Sequence, residues 1–490
     1  MLSAEKVAVI DVGSNSCRMV IYEQAGAALL PYFNEKAMVG LGRDMAKTGI
    51  IYPAGKIKAL ETLQRFQAIL NGLGIDKVYA VATSAVREAS DGAQFRREAE
   101  ATLGVPLQVL SGADEGRISA LGVVTGFSKA KGLVADLGGA SLELQSVGKP
   151  AGDRPGETYL LGPLARAEDA ELATSKRRKA IAKILSESQT LPLKSGCLYA
   201  VGGAWRNVAA VHMALTDYPL GVMHAYSLDR AALATVIEAA EAAHDDADIR
   251  ERLQRVAKRR YETLLHAALV LDTLLDLSAV SAAHISAYGL REGVVAEASG
   301  ASSGDGLLDT AQLYLKLSDA STAFGHQVHT FIAPILNRIA QRPAVLSATC
   351  MMADAGARLH PDHRSDLIFE QVLRAPLPAI GHDERVFAAF AVASRNTFKF
   401  RAPAAIARIV SPDLLAQARL VGTAMRLAGV YSGRSAQILE TAGLDVTPTD
   451  LVLRVLEKNQ DMVSGTVRRR HQQLAGLMGL EARIKISAKA

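Results

Sequence analysis

Apolar positions along this chain come in two rhythms. Short runs, Val7-Ala8-Val9-Ile10, Met19-Val20-Ile21-Tyr22 and Val78-Tyr79-Ala80-Val81-Ala82, read as strands. The first two belong to a three-strand meander over residues 6–38, with Gly26 near a turn. Residues 53–72 carry the slower rhythm of an amphipathic helix, with Ile57, Leu60, Leu63, Ile69 and Leu70 expected on one face. A helix around Gln94–Leu103, a strand at Leu107–Leu110 and a helix from Ser111 to about Val124 follow. From Gly132 the opening pattern returns: a meander, a helix at Glu171–Leu185, a strand at Cys197–Val201, helices filling 229–277 and a strand at Val280–Ile285. Residues 299–306 (Ser-Gly-Ala-Ser-Ser-Gly-Asp-Gly) read as a linker, and the Ala-, Leu- and Arg-rich remainder reads as helical. The resulting division is 1–127, 128–300 and 301–490, two α/β lobes and an all-α third region.

Two stretches in this pattern carry chemistry. Asp11-Val12-Gly13-Ser14-Asn15-Ser16-Cys17-Arg18 follows the first strand, and Asp136-Leu137-Gly138-Gly139-Ala140-Ser141-Leu142-Glu143 follows Leu133-Val134-Ala135. Each is strand, Asp, tight Gly turn, strand. Such a turn exposes backbone N–H groups and hydroxyls that form a nest for phosphate oxygens. The Asp at the strand end is placed to hold hydrated Mg²⁺ beside them. A single Gly-Ser turn is better read as a hairpin loop. Two copies, each led by Asp, point to related lobes facing each other across a cleft. Neither a G-x-x-x-x-G-K-[ST] loop nor a G-x-G-x-x-G fingerprint is present.

Composition narrows the class. Of 490 residues, 49% are hydrophobic and 21% charged, which suits a globular protein with ample core. A net charge of +5 only weakly favours anionic ligands, and 5% aromatics with one Trp argue against a stacking platform for nucleic acid. Cys17, Cys197 and Cys350 fit no disulfide or zinc spacing, which suggests a reducing cytoplasm. The first strand begins without a basic-then-apolar leader, and no apolar run reaches transmembrane length, so no membrane association is expected.

Together with Ala82-Thr83-Ser84-Ala85-Val86-Arg87, Ser111-Gly112-Ala113-Asp114-Glu115-Gly116-Arg117 and Tyr288-Gly289-Leu290-Arg291-Glu292-Gly293, the two turns resemble the exopolyphosphatase/guanosine pentaphosphate phosphohydrolase family over roughly residues 5–300. The resemblance implies two ribonuclease-H-like lobes of the actin-like ATPase kind, Mg²⁺ dependence, and release of terminal phosphate from inorganic polyphosphate or a guanosine alarmone. It also suggests a homodimer. The chain departs from the family pattern in the second turn, where Ala140 replaces a third Gly and Leu142 a Thr. The region beyond 301 more weakly resembles a metal-hydrolase-like helical domain whose His-Asp pair reads here Ala353-Asp354, a degenerate site that has lost an imidazole ligand.

Hydrolysis of a phosphoanhydride needs an aligned water, a base, a metal and neutralised phosphoryl oxygens. Glu115, at a helix start, is the expected general base; the alternative is a carboxylate that only favours the helix N-terminus. Asp136 and Glu143, seven residues apart across the second turn, are the expected Mg²⁺ ligands, joined by Asp11 from the other lobe. Ser14, Asn15, Ser16, Gly138, Gly139 and Ser141 are assigned to the terminal phosphates, with Arg18 and Arg87 neutralising their oxygens. Trp205, after Gly202-Gly203, is either a base-stacking or a core residue. Tyr288–Gly293 reads as a hinge or a lobe-packing element, and the scattered histidines as structural. The leading function is exopolyphosphatase, with the residues beyond 306, including Arg468-Arg469-Arg470, expected to hold the rest of a long chain. The alternatives are an alarmone 5′-phosphohydrolase, a kinase-type phosphotransferase and a non-catalytic alarmone or phosphate sensor.

Overall fold

Residues 4–148, 156–193, 195–300 and 306–488 are described by a computed structural model. The chain forms two compact units, one over Ala4–Gln24 and Leu29–Ser303, the other over Gly304–Ala490 together with Ala25–Ala28. Residues 301–305 of the expected linker lie outside the described residues.

The first unit holds two sheets. β1 (Glu5–Val12), β2 (Ser16–Ala25) and β3 (Ala28–Met38) form the meander. α1 (Pro53–Leu73), β4 (Val78–Ala82), α2 (Gly92–Leu103) and β5 (Leu107–Val109) complete a five-stranded sheet ordered β3-β2-β1-β4-β5. β1 runs antiparallel to β2 and parallel to β4. Its unbroken apolar run is explained by burial on both faces, with Ala8, Ile10 and Val12 in one core and Val7 and Val9 in another. α1 buries Ala59, Leu63, Phe66 and Leu70, and Ile57 is 62% exposed. The buried stripe is thus rotated from the expected face, because Ala59 and Phe66 pack on the sheet in place of Ile57.

α3 (Gly112–Gly126) leads to the second sheet. β6 (Gly132–Leu137) and β7 (Leu142–Val147) repeat the opening hairpin, and β8 (Glu157–Tyr159) is added at the edge. α4 begins at Thr174 rather than Glu171, after a 3₁₀ turn at Ala167–Glu171, and ends at Leu185. β9 (Cys197–Val201), α5 (Gly203–Leu215) and β10 (Ser227–Asp229) follow. After α6 (Arg230–Ala242), α7 (Ala247–Ala257) and α8 (Leu264–Ser278), β11 (Ala282–Ile285) completes a sheet ordered β10-β11-β9-β6-β7-β8. β6 runs antiparallel to β7 and parallel to β9, the same relation as β1 to β2 and β4.

α9 (Leu290–Ala298) then returns to the first sheet and packs on α3 and β1. By packing it belongs with the first lobe, although its sequence position lies in the segment assigned to the second. Glycines make this contact close. A Cβ at Gly122 would lie 2.0 Å from the Gly289 carbonyl oxygen, and one at Gly293 would lie 1.8 Å from that of Ile118. Tyr22 donates to Glu292 at 2.5 Å, so Tyr288–Gly293 is a lobe-packing element.

The second unit is helical through residue 439, with α10 (Asp319–Leu336), α11 (Pro343–Met351), α12 (Arg364–Leu373), α13 (His382–Asn396) and α14 (Pro412–Ser432) as its main helices. The expected all-α region then gives way to a sheet of β12 (Ala442–Val446), β13 (Asp450–Leu456) and β14 (Glu481–Ser487), with α15 (Gly465–Leu477) before the last strand. Leu451, Leu453 and Val455 alternate inward along β13, a strand period set within an Ala- and Leu-rich background. No helix among the described residues is long and apolar enough to cross a membrane.

Because α3 and α9 meet through backbone, a methyl group has nowhere to go. Gly122→Ala is expected to destabilise the protein by about 1–3 kcal/mol or more, read from the urea midpoint. An exposed control, Gly72→Ala, meets nothing within 4 Å and is expected to hold or raise stability.

Candidate active site

The two Gly turns have one geometry. Gly13 N–H donates to the Ser16 carbonyl at 3.0 Å, and Gly138 N–H to that of Ser141 at 2.9 Å. In each hairpin the strand-end Asp faces one cross-strand partner, Asp11 opposite Arg18 and Asp136 opposite Glu143. Both turns are braced from outside. The Asn15 carbonyl accepts from Val39 and Gly40 N–H, the Ser14 carbonyl from Gly42 N–H, and the Ser14 and Ser84 hydroxyls lie 2.8 Å apart. In the second turn Gly162 and Leu164 N–H donate to the Ala140 and Gly139 carbonyls. Ala140 avoids the left-handed region, so it keeps the loop conformation without a Gly. Leu142, where a hydroxyl was missing, is fully buried in the core.

The turns line opposite sides of a cleft of about 230 Å³. Asp11, Ser14, Asn15, Ser16 and Arg18 come from the first lobe, and Asp136, Gly138, Gly139 and Ser141 from the second. Glu115 enters from the first turn of α3, whose N-cap Ser111 hydroxyl accepts from Asp114 N–H at 3.0 Å. Arg87 and Glu143 stand outside this lining. Arg87 donates to the Leu110 carbonyl at 2.8 Å and to Glu115 at 3.3 Å, so the residue expected on phosphate is placed to orient Glu115. Glu143 is 1% exposed, and neither of its carboxylate oxygens makes a hydrogen bond of regular geometry.

These carboxyls disturb one another. Burial pushes Glu115 up to about 7, helped by the charge of Asp136 and opposed by Arg87. Asp136 is raised by burial, against a 2.5 Å hydrogen bond from Ser119, with Asp11 adding to the rise. Glu143 is raised well above the carboxylate range by burial and then by Glu115 and Asp136. A buried acid with only the Ser141 hydroxyl to help it, beside two others, suits a divalent cation. No three His, Cys, Asp or Glu among the described residues form a ready metal cage. The arrangement therefore fits a cation that takes one or two carboxylates and draws its other ligands from phosphate and water, as Mg²⁺ does. Asp11 is already paired with Arg291 at 3.1 Å.

The facing wall is cationic. Arg206, Arg260 and Lys36 line the cleft, and no carboxylate pairs with them among the described residues. The Arg260 guanidinium lies over Gly203 so closely that a Cβ there would fall 2.3 Å from it. Burial, then repulsion from Arg291 and Arg18, lowers Arg206 to about 10. Lys36 is pushed down to about 8 by desolvation and then by the charges of Arg260, Arg18 and Arg206. Sequence reading named Arg18 but missed Lys36, Arg260 and the role of Arg291. Arg259-Arg260 was a visible basic pair, but nothing local to it points to the cleft. Trp205, left open above, is a core residue: it is fully buried and donates from Nε1 to the Ala267 carbonyl at 2.9 Å.

The Ppx/GppA phosphatase family model matches residues 20–300, and the exopolyphosphatase C-terminal model matches 324–485. Exopolyphosphatase 1 of Mycobacterium tuberculosis (strain H37Rv) is 33% identical over 144 residues, 29% of this chain. The chain spans 42% of the length of this relative. The fold is shared with the Aquifex aeolicus member of the Ppx/GppA family, at a TM-score of 0.53 and 21% identity, covering 61% of this chain and 98% of that one. An exopolyphosphatase from Cytophaga hutchinsonii aligns at a TM-score of 0.52 and 21% identity, covering 61% of this chain and 100% of that one.

Acids whose affinity for protons is higher folded than unfolded stabilise the fold only while protonated. In metal-free buffer the thermal midpoint is expected to fall as pH rises from about 4.5 through about 7, the interval set by Glu115. Glu115→Gln is expected to flatten that fall, and scanning calorimetry across this pH range checks it.

Proposed function

The chain belongs to the Ppx/GppA phosphatase family, and on that premise we propose that it is an Mg²⁺-dependent exopolyphosphatase. The observation that carries the reading is the position of Glu115, a buried carboxyl titrating near 7, in one cleft with two phosphate-type turns. The terminal phosphate lies between the turns, its oxygens held by the backbone N–H groups of Gly138 and Gly139 and the hydroxyls of Ser14, Ser16 and Ser141. Glu115, oriented by Arg87, takes a proton from water. The water oxygen bonds to the terminal phosphorus as its bridging P–O bond breaks. Orthophosphate and a chain one unit shorter leave, and the proton passes from Glu115 to solvent. Asp136 and Glu143 would hold Mg²⁺, with Asp11 nearby. When bound, the ion supplies charge neutralisation on the phosphoryl oxygens.

Polyphosphate is favoured over an alarmone by the opposite wall. Arg18, Lys36, Arg206 and Arg260 offer charge to further phosphates, while Trp205, the side chain best suited to stacking a guanine, is turned into the core. We further propose a cytoplasmic homodimer; light scattering of the purified chain tests the dimer.

Glu115→Gln is expected to lower turnover of polyphosphate by roughly 10²–10⁴ with little change in KM. Near-wild-type turnover would remove Glu115 from the role. EDTA is expected to abolish phosphate release and Mg²⁺ to restore it. Glu143→Gln is expected to shift the Mg²⁺ titration to higher concentration, and an unchanged titration would place the ion elsewhere. Guanosine pentaphosphate assayed in parallel decides between the two substrates.

A further inference from the structure

The second unit sets one buried and one half-exposed arginine against a single acid. Asp354 ends the 3₁₀ turn Met352–Asp354 after α11 and is 13% exposed. Its Oδ1 accepts from Arg434 at 3.1 Å and faces Arg395 at 3.5 Å, and its Oδ2 accepts from the Ser321 hydroxyl at 2.9 Å. Both oxygens are therefore committed to donors, and neither is a free metal ligand. Arg395, on α13, is nine-tenths buried, its guanidinium lies beside Gly429 of α14, and its Nε has no hydrogen-bond partner. Burial and the charges of Arg434, Arg364 and Arg426 hold Arg395 down to about 10, with only Asp354 opposing them. Arg426 in turn is repelled by Arg470, the inner member of the Arg468-Arg469-Arg470 tract, whose Nε is also buried without a partner. Arg434 keeps a left-handed backbone at φ 70° just past α14 and leaves its side chain half exposed, open to solvent.

We propose that Arg395 and Arg434 around Asp354 form an oxyanion site for a phosphate group, a metal-type position whose charge has been reversed. Asp354 presets two guanidiniums, and planar guanidiniums take phosphate oxygens bidentately. The site lies wholly within the second unit and does not depend on the phosphatase reading.

Equilibrium dialysis of the full chain with orthophosphate tests it. Arg434→Gln, at a half-exposed position, is expected to weaken one class of phosphate site roughly ten- to a hundredfold, and Arg18→Gln in the cleft to leave that class intact. Asp354→Asn keeps the shape and removes the acid, so phosphate is expected to raise its melting temperature more than that of the wild type. Competition by polyphosphate and by guanosine tetraphosphate, in separate arms, identifies which molecule carries the phosphate group. Phosphate binding unchanged in Arg434→Gln would overturn the proposal. So would a divalent cation, Mn²⁺ or Zn²⁺, that binds the wild type at this site and is lost in Asp354→Asn.

Discussion

Like charges buried side by side are the constraint on which the first unit turns. Glu115, Asp136 and Glu143 come from a helix and two strands; Asp136 raises the proton affinity of Glu115, and both raise that of Glu143. Such a cluster is costly unless it is protonated or neutralised by a cation. The fold limits the cost with single, well-placed partners: Ser119 on Asp136, Arg87 on Glu115 and Arg291 on Asp11. Glu143 has a weaker one: the Ser141 hydroxyl lowers its proton affinity, against the larger rise from burial.

Helix α3 makes this arrangement rigid. Its first turn presents Glu115 to the cleft, its middle rests on α9 through Gly122, and its Ser119 reaches Asp136 on the second sheet. One element thus joins the acid in the first lobe to the acid in the second. α9 answers from the other direction: Glu292 ties to Tyr22 and caps its own helix through Gly289 N–H, and its neighbour Arg291 holds Asp11. A displacement of α3 moves Glu115 and the Ser119 contact to Asp136 together, and one of α9 moves the Arg291 contact to Asp11.

What was legible in the sequence is what is local. The turns, the strand-end acids and the helix start at Ser111 depend on contacts a few residues apart, and their sequence signals survive folding. Lys36, Arg206 and Arg260 converge from a strand, a helix and a 3₁₀ turn, so only the fold places them on one wall. Arg87 was expected on phosphate oxygens, but its direction, back toward Leu110 and Glu115, is set by packing. Ile57 shows the same limit in the core: a stripe drawn from hydrophobicity alone passed over Ala59, which the sheet prefers for its small size. In the second unit, composition suggested helix throughout. The two-residue period of β13 was visible but short, and Ala- and Leu-rich neighbours obscured it.

The repeated hairpin carries one further consequence. The two lobes place the same backbone turn and the same Asp at matching points, but the residue across from that Asp is Arg18 in one and Glu143 in the other. A twofold-related scaffold has been given opposite signs at its two equivalent positions. A linear polyanion has identical ends and so carries no polarity of its own. Here the asymmetry resides in the protein: a carboxylate faces the strand-end Asp in the second hairpin, and a guanidinium faces it in the first. Divergence of a single residue pair between duplicated hairpins is enough to turn a symmetric fold into a directional one.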